Sequence, residues 1–170
     1  MIALAFKLAH MPLSQDLHDQ IFDDFLKDYS KNLANQTHLF EGLTTVLDEL
    51  DANGYSFAVC TNKMHGMAVP LLEKLGILHR FLSITGGDSF EFRKPDRRHL
   101  EKTAELAGFS LDQAIMIGDS STDINAAINA GIPSIAVTFG YSDLPVETLG
   151  ANIIISHFDQ LIRAIRAIQN

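Results

Sequence analysis

The sequence predicts an α/β protein on a parallel sheet, with a short all-helical segment ahead of it. Two observations carry this. Five short apolar runs, SFAVCTN (56–62), FLSITGG (81–87), AIMIGD (114–119), SIAVTFG (134–140) and NIIIS (152–156), alternate with stretches of helical periodicity, the pattern of βαβ units with helices covering both faces of the sheet. The second is a compositional boundary near residue 41, where an all-helical texture gives way to this alternation. It divides the chain into residues 1–40 and 41–170. At 170 residues and 46% hydrophobic, the chain can bury the core of one domain plus a small appendage, and it is too apolar to be disordered.

In order along the chain, the opening MIALAFKLAHMPL is apolar but short, is interrupted by Lys7 and His10, and has no basic segment before it. It is therefore a poor signal peptide. Ser14 can cap a helix in which Leu17, Ile21, Phe22, Phe25, Leu26, Tyr29 and Leu33 recur at helical spacing. A second helix carries Leu43, Val46, Leu47 and Leu50 on one face and stops at Asn53-Gly54, residues that tolerate a left-handed cap. Between the apolar runs lie helices at Met67–Leu75, Arg97–Ala107 closed by Gly108, Ile124–Ala130 closed by Gly131, and Phe158–Ile168. Pro70 makes the first of these start late or kink.

Charge and cysteine content exclude several functions. Thirteen basic against 21 acidic residues give a net charge of -8, which repels nucleic acid and anionic membranes. No run is long enough to span a bilayer. The single cysteine, Cys60, cannot form an intrachain disulfide, so a reducing, cytoplasmic setting is expected. Cys60 lies inside an apolar run and reads as a buried thiol. The seven histidines show no paired metal spacing.

In open parallel sheets, ligands bind beyond the carboxyl ends of the strands. Standing there are Thr61-Asn62-Lys63, Gly86-Gly87-Asp88, Gly118-Asp119-Ser120 with Asp123 one turn on, and Thr138-Phe139-Gly140. Lys94 precedes Pro95 and so belongs to a loop entering the next helix. Singly, each residue has an ordinary structural role: Asp119 as a helix cap, Asp123 as a first-turn acid, Thr61 as a turn residue, Lys94 as a solvated charge. Together, a hydroxyl, a lysine and a carboxylate pair suit a small phosphate ester with Mg²⁺, which takes one or two carboxylates and fills its shell with water and phosphate oxygens.

The order of these pieces resembles motifs two, three and four of the haloacid dehalogenase-like hydrolase superfamily. Within it, CTNK, GGDSFEFRKPD and IGDSSTDINAAINAGIPSIAVTFGY look most like phosphoglycolate phosphatases, over about residues 40 to 160. The resemblance implies a Rossmann-like parallel sheet and phosphomonoester hydrolysis. It implies that Thr61 and Asn62 contact the phosphoryl group, that Lys94 neutralises it and the nucleophile, that Asp119 ligates Mg²⁺, and that Asp123 supports the metal. Residues 1–40 then resemble the end of a helical cap.

The same resemblance calls for a DxDxT motif whose first aspartate is the nucleophile, yet no two aspartates here are separated by one residue. It implies that the chain begins partway through a family protein, with no nucleophile, a weakened Mg²⁺ site and little phosphatase activity. It also implies that the central strand, between those ending at Thr61 and Asp119, is absent. Unpaired edges invite another strand, so the gap is expected to take up MIALAFKL or an element of a second copy, giving a homodimer through the sheet edges. MIALAFKL reads equally as a remnant cap helix. A non-catalytic phosphate- and metal-binding protein fits the same residues. A phosphoacceptor receiver domain fits less well, because its acids come before its threonine and lysine.

Overall fold

The computed structural model describes residues 2–32, 37–142 and 144–169, and the chain divides into two compact units, residues 1–38 and 39–170. The first unit is helical, with α1 at Ile2–Leu8 and α2 at Gln15–Asn32. The segment MIALAFKL is therefore a helix where described, and its use as a strand to complete the sheet is not realised. A run this short has no periodicity that separates strand from helix. Ser14 caps α2 as expected, its Oγ accepting from the Leu17 N–H at 3.3 Å. Leu33, counted in the apolar stripe, lies outside the described residues.

The second unit carries α3 (Leu43–Ala52), β1 (Phe57–Cys60), α4 (His65–Lys74), β2 (Phe81–Thr85), α5 (Arg97–Leu106), β3 (Met116–Gly118), α6 (Ser121–Ala130), β4 (Ser134–Val137), β5 (Ile153–Ile155) and α7 (Leu161–Gln169). All five apolar runs form strands, and every strand pairing is parallel. Helix α4 starts upstream of Pro70, at His65, so a late start is excluded. Gly131, at φ 71°, closes α6 in the left-handed region, where glycine carries no Cβ penalty.

Helices cover both faces of the sheet. On one, Val46 and Leu50 of α3 pack with Leu161, Ala164 and Ile165 of α7 over Ile135, Val137 and Ile155. On the other, Leu100 of α5 meets Ala126 and Ala127 of α6 over Cys60 and Met116. The strands form two half-sheets, β1-β2 and β3-β4-β5, with no hydrogen-bonded ladder between β1 and β3 among the described residues. A cleft of about 580 Å³ separates them, lined by Phe57–Cys60 and Ile115–Ile117 at the strand edges. The helix pairs on the two faces cross this gap and hold the halves together. No described helix is long and apolar enough to cross a membrane.

Candidate functional site

The strand ends place the site residues. The β1 and β2 loops interlock, because Gly86 and Gly87 leave no room for a side chain. A Cβ on Gly86 would lie 2.2 Å from His65 N, and one on Gly87 would lie 2.4 Å from Asn62 O. Asp88 Oδ1 accepts from the His65 N–H at 2.7 Å and tethers the start of α4. Thr61 Oγ1 accepts from the Lys63 N–H at 3.1 Å, a turn that leaves the hydroxyl hydrogen free to donate elsewhere. Asn62 Nδ2 donates to the Lys94 carbonyl at 2.9 Å, tying the β1 loop to the loop that precedes α5.

Lys94 departs from the ordinary solvated lysine. It is 7% exposed, and its Nζ donates to Asp123 Oδ1 and to the Cys60 carbonyl, both at 2.5 Å. Its own N–H donates to Nδ1 of the fully buried His99 at 3.2 Å, which puts the imidazole proton on Nε2 and fixes the neutral tautomer. Burial and the Lys94 charge push His99 below its ordinary pKa, against weaker opposing pulls from the Gly86 backbone and Asp96.

Asp123 is held by its own turn as well as by Lys94. Its Oδ2 accepts from Ser120 Oγ at 2.7 Å, the Ser120 N–H at 3.1 Å and the Asp119 N–H at 3.3 Å, so Ser120 and Asp123 form a reciprocal capping box at the start of α6. Burial pushes the Asp123 carboxyl up, but the Lys94 charge and the hydrogen bonds from Lys94 and Ser120 outweigh it and hold the group below its usual range. Gly118 permits this turn, since a Cβ there would lie 2.4 Å from the Asp123 Cβ.

Asp119 sits between the ends of β3 and β4. Its Oδ2 accepts from the Tyr141 N–H at 2.6 Å, and Gly140 makes room for it, since a Cβ there would lie 2.3 Å from that oxygen. Oδ1 accepts no hydrogen bond from the described residues. The described residues hold no group of three His, Cys, Asp or Glu side chains fit to enclose a metal. Asp119 Oδ1, which takes no hydrogen bond from the described residues, still fits Mg²⁺, which draws most of its shell from water and phosphate, while both Asp123 oxygens are engaged by Lys94 and Ser120. Burial raises the Cys60 thiol pKa, which keeps it protonated and unreactive.

The structure thus links Asn62, Lys94, Asp119 and Asp123 through hydrogen bonds, with Thr61 one residue beyond the carbonyl that Lys94 holds. Sequence reasoning gave no role to Ser120, Gly140, His99 or the Tyr141 amide. The Ser-x-x-Asp spacing at the start of α6 was a usable signal for Ser120. Gly140 and the Tyr141 amide act through contacts between distant loops and leave no local pattern, and His99, five residues after Lys94, belongs to no motif the sequence reading used.

Comparison with known proteins identifies the family. The family model for haloacid dehalogenase-like hydrolases matches residues 7–137. The chain is 44% identical to a phosphoglycolate phosphatase of Agrobacterium fabrum, over 97% of this chain and 71% of that one. It is 42% identical to a phosphoglycolate phosphatase of Mesorhizobium japonicum, over 85% of this chain and 63% of the relative. It therefore spans roughly two thirds of the length of the curated relatives it matches. A crystal structure of a predicted phosphoglycolate phosphatase from Haemophilus somnus superposes with a TM-score of 0.89 at 30% identity, covering 96% of this chain and 73% of that one. Motif order, strand-end geometry and these matches together show that the chain belongs to the haloacid dehalogenase-like hydrolase family.

Proposed function

We propose that the chain carries the phosphoryl-binding and metal-binding parts of a Mg²⁺-dependent phosphomonoester hydrolase of the phosphoglycolate phosphatase type, and that by itself it is nearly inactive. The observation that carries this is the buried Lys94–Asp123 pair, set between the end of β1 and an Asp119 whose Oδ1 takes no hydrogen bond from the described residues. The names of the curated relatives support the substrate class, a small phosphorylated acid.

In this reading the Thr61 hydroxyl donates to a phosphoryl oxygen, and Lys94 supplies a fixed positive charge where negative charge spreads in the transition state. Asn62 holds the Lys94 loop against the end of β1. Mg²⁺, held by Asp119 with Asp123 in support, would neutralise phosphoryl oxygens. Lys94 and Ser120 hold the Asp123 carboxyl below its usual range, and Asp123 in turn holds the Lys94 ammonium in place. No described side chain at the cleft mouth stands as the nucleophile that the family draws from its DxDxT strand. Groups that act as one catalytic unit lose most of their effect together, about 10⁶-fold for nucleophiles in an unrelated hydrolase.

The test is hydrolysis of 2-phosphoglycolate and p-nitrophenyl phosphate, with and without Mg²⁺, by this chain and by one given a DxDxT strand at its N-terminus. The chain alone should stay near background. The extended chain should turn over only with Mg²⁺ and lose activity on Asp119→Ala. Robust turnover by the chain alone, abolished by Asp119→Ala, refutes the near-inactivity. An inert extended chain refutes the phosphatase reading.

A further inference from the structure

We propose that His99 is the positioning residue of Lys94, its imidazole gripping the main chain of that lysine and so fixing where the buried ammonium stands. The inference deepens the phosphoryl-site reading and rests on it for its ligand. His99 lies in the first turn of α5, three residues after the capping Asp96, whose carbonyl accepts from the His99 N–H at 3.1 Å. Helical side chains lean back towards the N-terminus, so the ring reaches past the cap to the loop before it. There Nδ1 accepts from the Lys94 N–H at 3.2 Å, the reach of a capping box extended two residues upstream. From the other side, Asn62 donates to the Lys94 carbonyl at 2.9 Å. The main chain of Lys94 is thus held at both its polar groups, and its ammonium is delivered to Asp123 and the Cys60 carbonyl.

Packing alone does not account for an imidazole at this place. His99 is fully buried, and its Nε2 has no hydrogen-bond partner among the described residues. Phe90 meets the ring edge-on at 5.9 Å between centroids, and a leucine could fill such a site without burying an unsatisfied donor. What the imidazole adds is the acceptor at Nδ1. That acceptor exists only in the neutral ring, because a protonated imidazole donates from both nitrogens and would set a second donor against the Lys94 N–H. The charged groups that bear on the ring are Lys94 and Asp96. Burial is the largest influence keeping it neutral and the Lys94 charge adds to this, while the Gly86 backbone and Asp96 pull weakly the other way. The positive end of α5 also opposes a cation in its first turn. The grip on Lys94 is therefore complete at neutral pH and loosens in acid.

The test compares the unaltered chain with His99→Asn, whose Oδ1 stands close to the place of Nδ1, and with His99→Leu, which keeps the bulk and loses the acceptor. Inorganic phosphate with Mg²⁺ is the ligand probe, and hydrogen exchange of the Lys94 amide reads the grip itself. His99→Leu should weaken phosphate binding and speed Lys94 exchange, each about tenfold, while His99→Asn stays within about threefold in both. A merely structural role ranks the variants the other way, since leucine suits an apolar site and asparagine does not. That reversed order overturns the proposal, as does a His99→Leu chain that behaves like the unaltered one. Ratios between the unaltered chain and His99→Asn cancel the titration of phosphate and the intrinsic pH dependence of exchange. As the pH falls below 6.5, the ordinary imidazole value, the unaltered chain should lose phosphate affinity and Lys94 protection relative to His99→Asn, and parallel profiles overturn the proposal. Should His99→Leu fail to fold, these ratios decide. Failure of the unaltered chain to bind phosphate counts against the phosphoryl reading alone, and Lys94 exchange still decides the role of His99.

Discussion

Lys94 is the residue whose surroundings matter most to the site. Its ammonium and the Asp123 carboxylate are 7% and 10% exposed, so removing one partner leaves a buried charge uncompensated. Lys94→Met should cost about 3–5 kcal/mol in urea unfolding, with much of that regained in the double variant Lys94→Met, Asp123→Leu. An unchanged midpoint in the single variant would show that the pair contributes nothing. Gly140→Ala tests the other carboxylate. The new methyl must push Asp119 away from the Tyr141 amide, so we expect a loss of about 1–3 kcal/mol and a shifted Tyr141 amide resonance, and an unmoved resonance would contradict the packing described. Neither contact was legible in the sequence. Lys94 next to a proline reads as a loop charge, and its burial depends on a helix start almost thirty residues away. The Asp119 to Tyr141 bond joins the ends of two neighbouring strands, a pairing that only the sheet order reveals.

At the scale of elements, α5 shows how a helix entry responds to pH. Asp96 caps it by accepting from the Arg98 N–H at 2.9 Å and pairs with the Arg98 guanidinium at 2.7 Å. These contacts, the Arg98 side chain first, lower the Asp96 pKa from 3.8 to about 2. Because the folded-state value is the lower one, the stabilisation is complete above about pH 4 and is lost as the pH falls towards about 2. The difference in urea midpoint between the unaltered chain and Asp96→Asn should stay constant at neutral pH and shrink through that acid window. A difference that grows as the pH falls would show the linkage to be wrong. Elements were the most legible part of the sequence, because continuous apolar runs and glycine stops are local signals. Short runs such as FAVC and MIG show this well: each is a strand flanked by turn residues. MIALAFKL has the same apolar density without strand partners, and local composition could not decide its state.

The second unit carries apolar surface along the flanks of its cleft. The cleft exposes the flanks of β1 and β3, with Ile117 at 37% exposure, to solvent between two covered faces. Native chain at neutral pH should therefore raise the fluorescence of an apolar dye such as ANS, which ordinarily reports the loosened packing of partly folded states. Here the signal should coexist with one sharp unfolding transition. No dye signal from the folded chain would mean that the cleft closes in solution. The split of the sheet was legible only through the family resemblance, since nothing local in FAVC or MIG states which edge lacks a neighbour.

The contact of α5 with α6, matched by α3 with α7 across the sheet, has a consequence for how the fold can be divided. Among the described residues the two half-sheets share no strand ladder, so helix packing on the two faces is what joins them. The second unit is in this sense two half-sheets clasped by side-chain packing, with no backbone ladder joining β1 to β3 among the described residues.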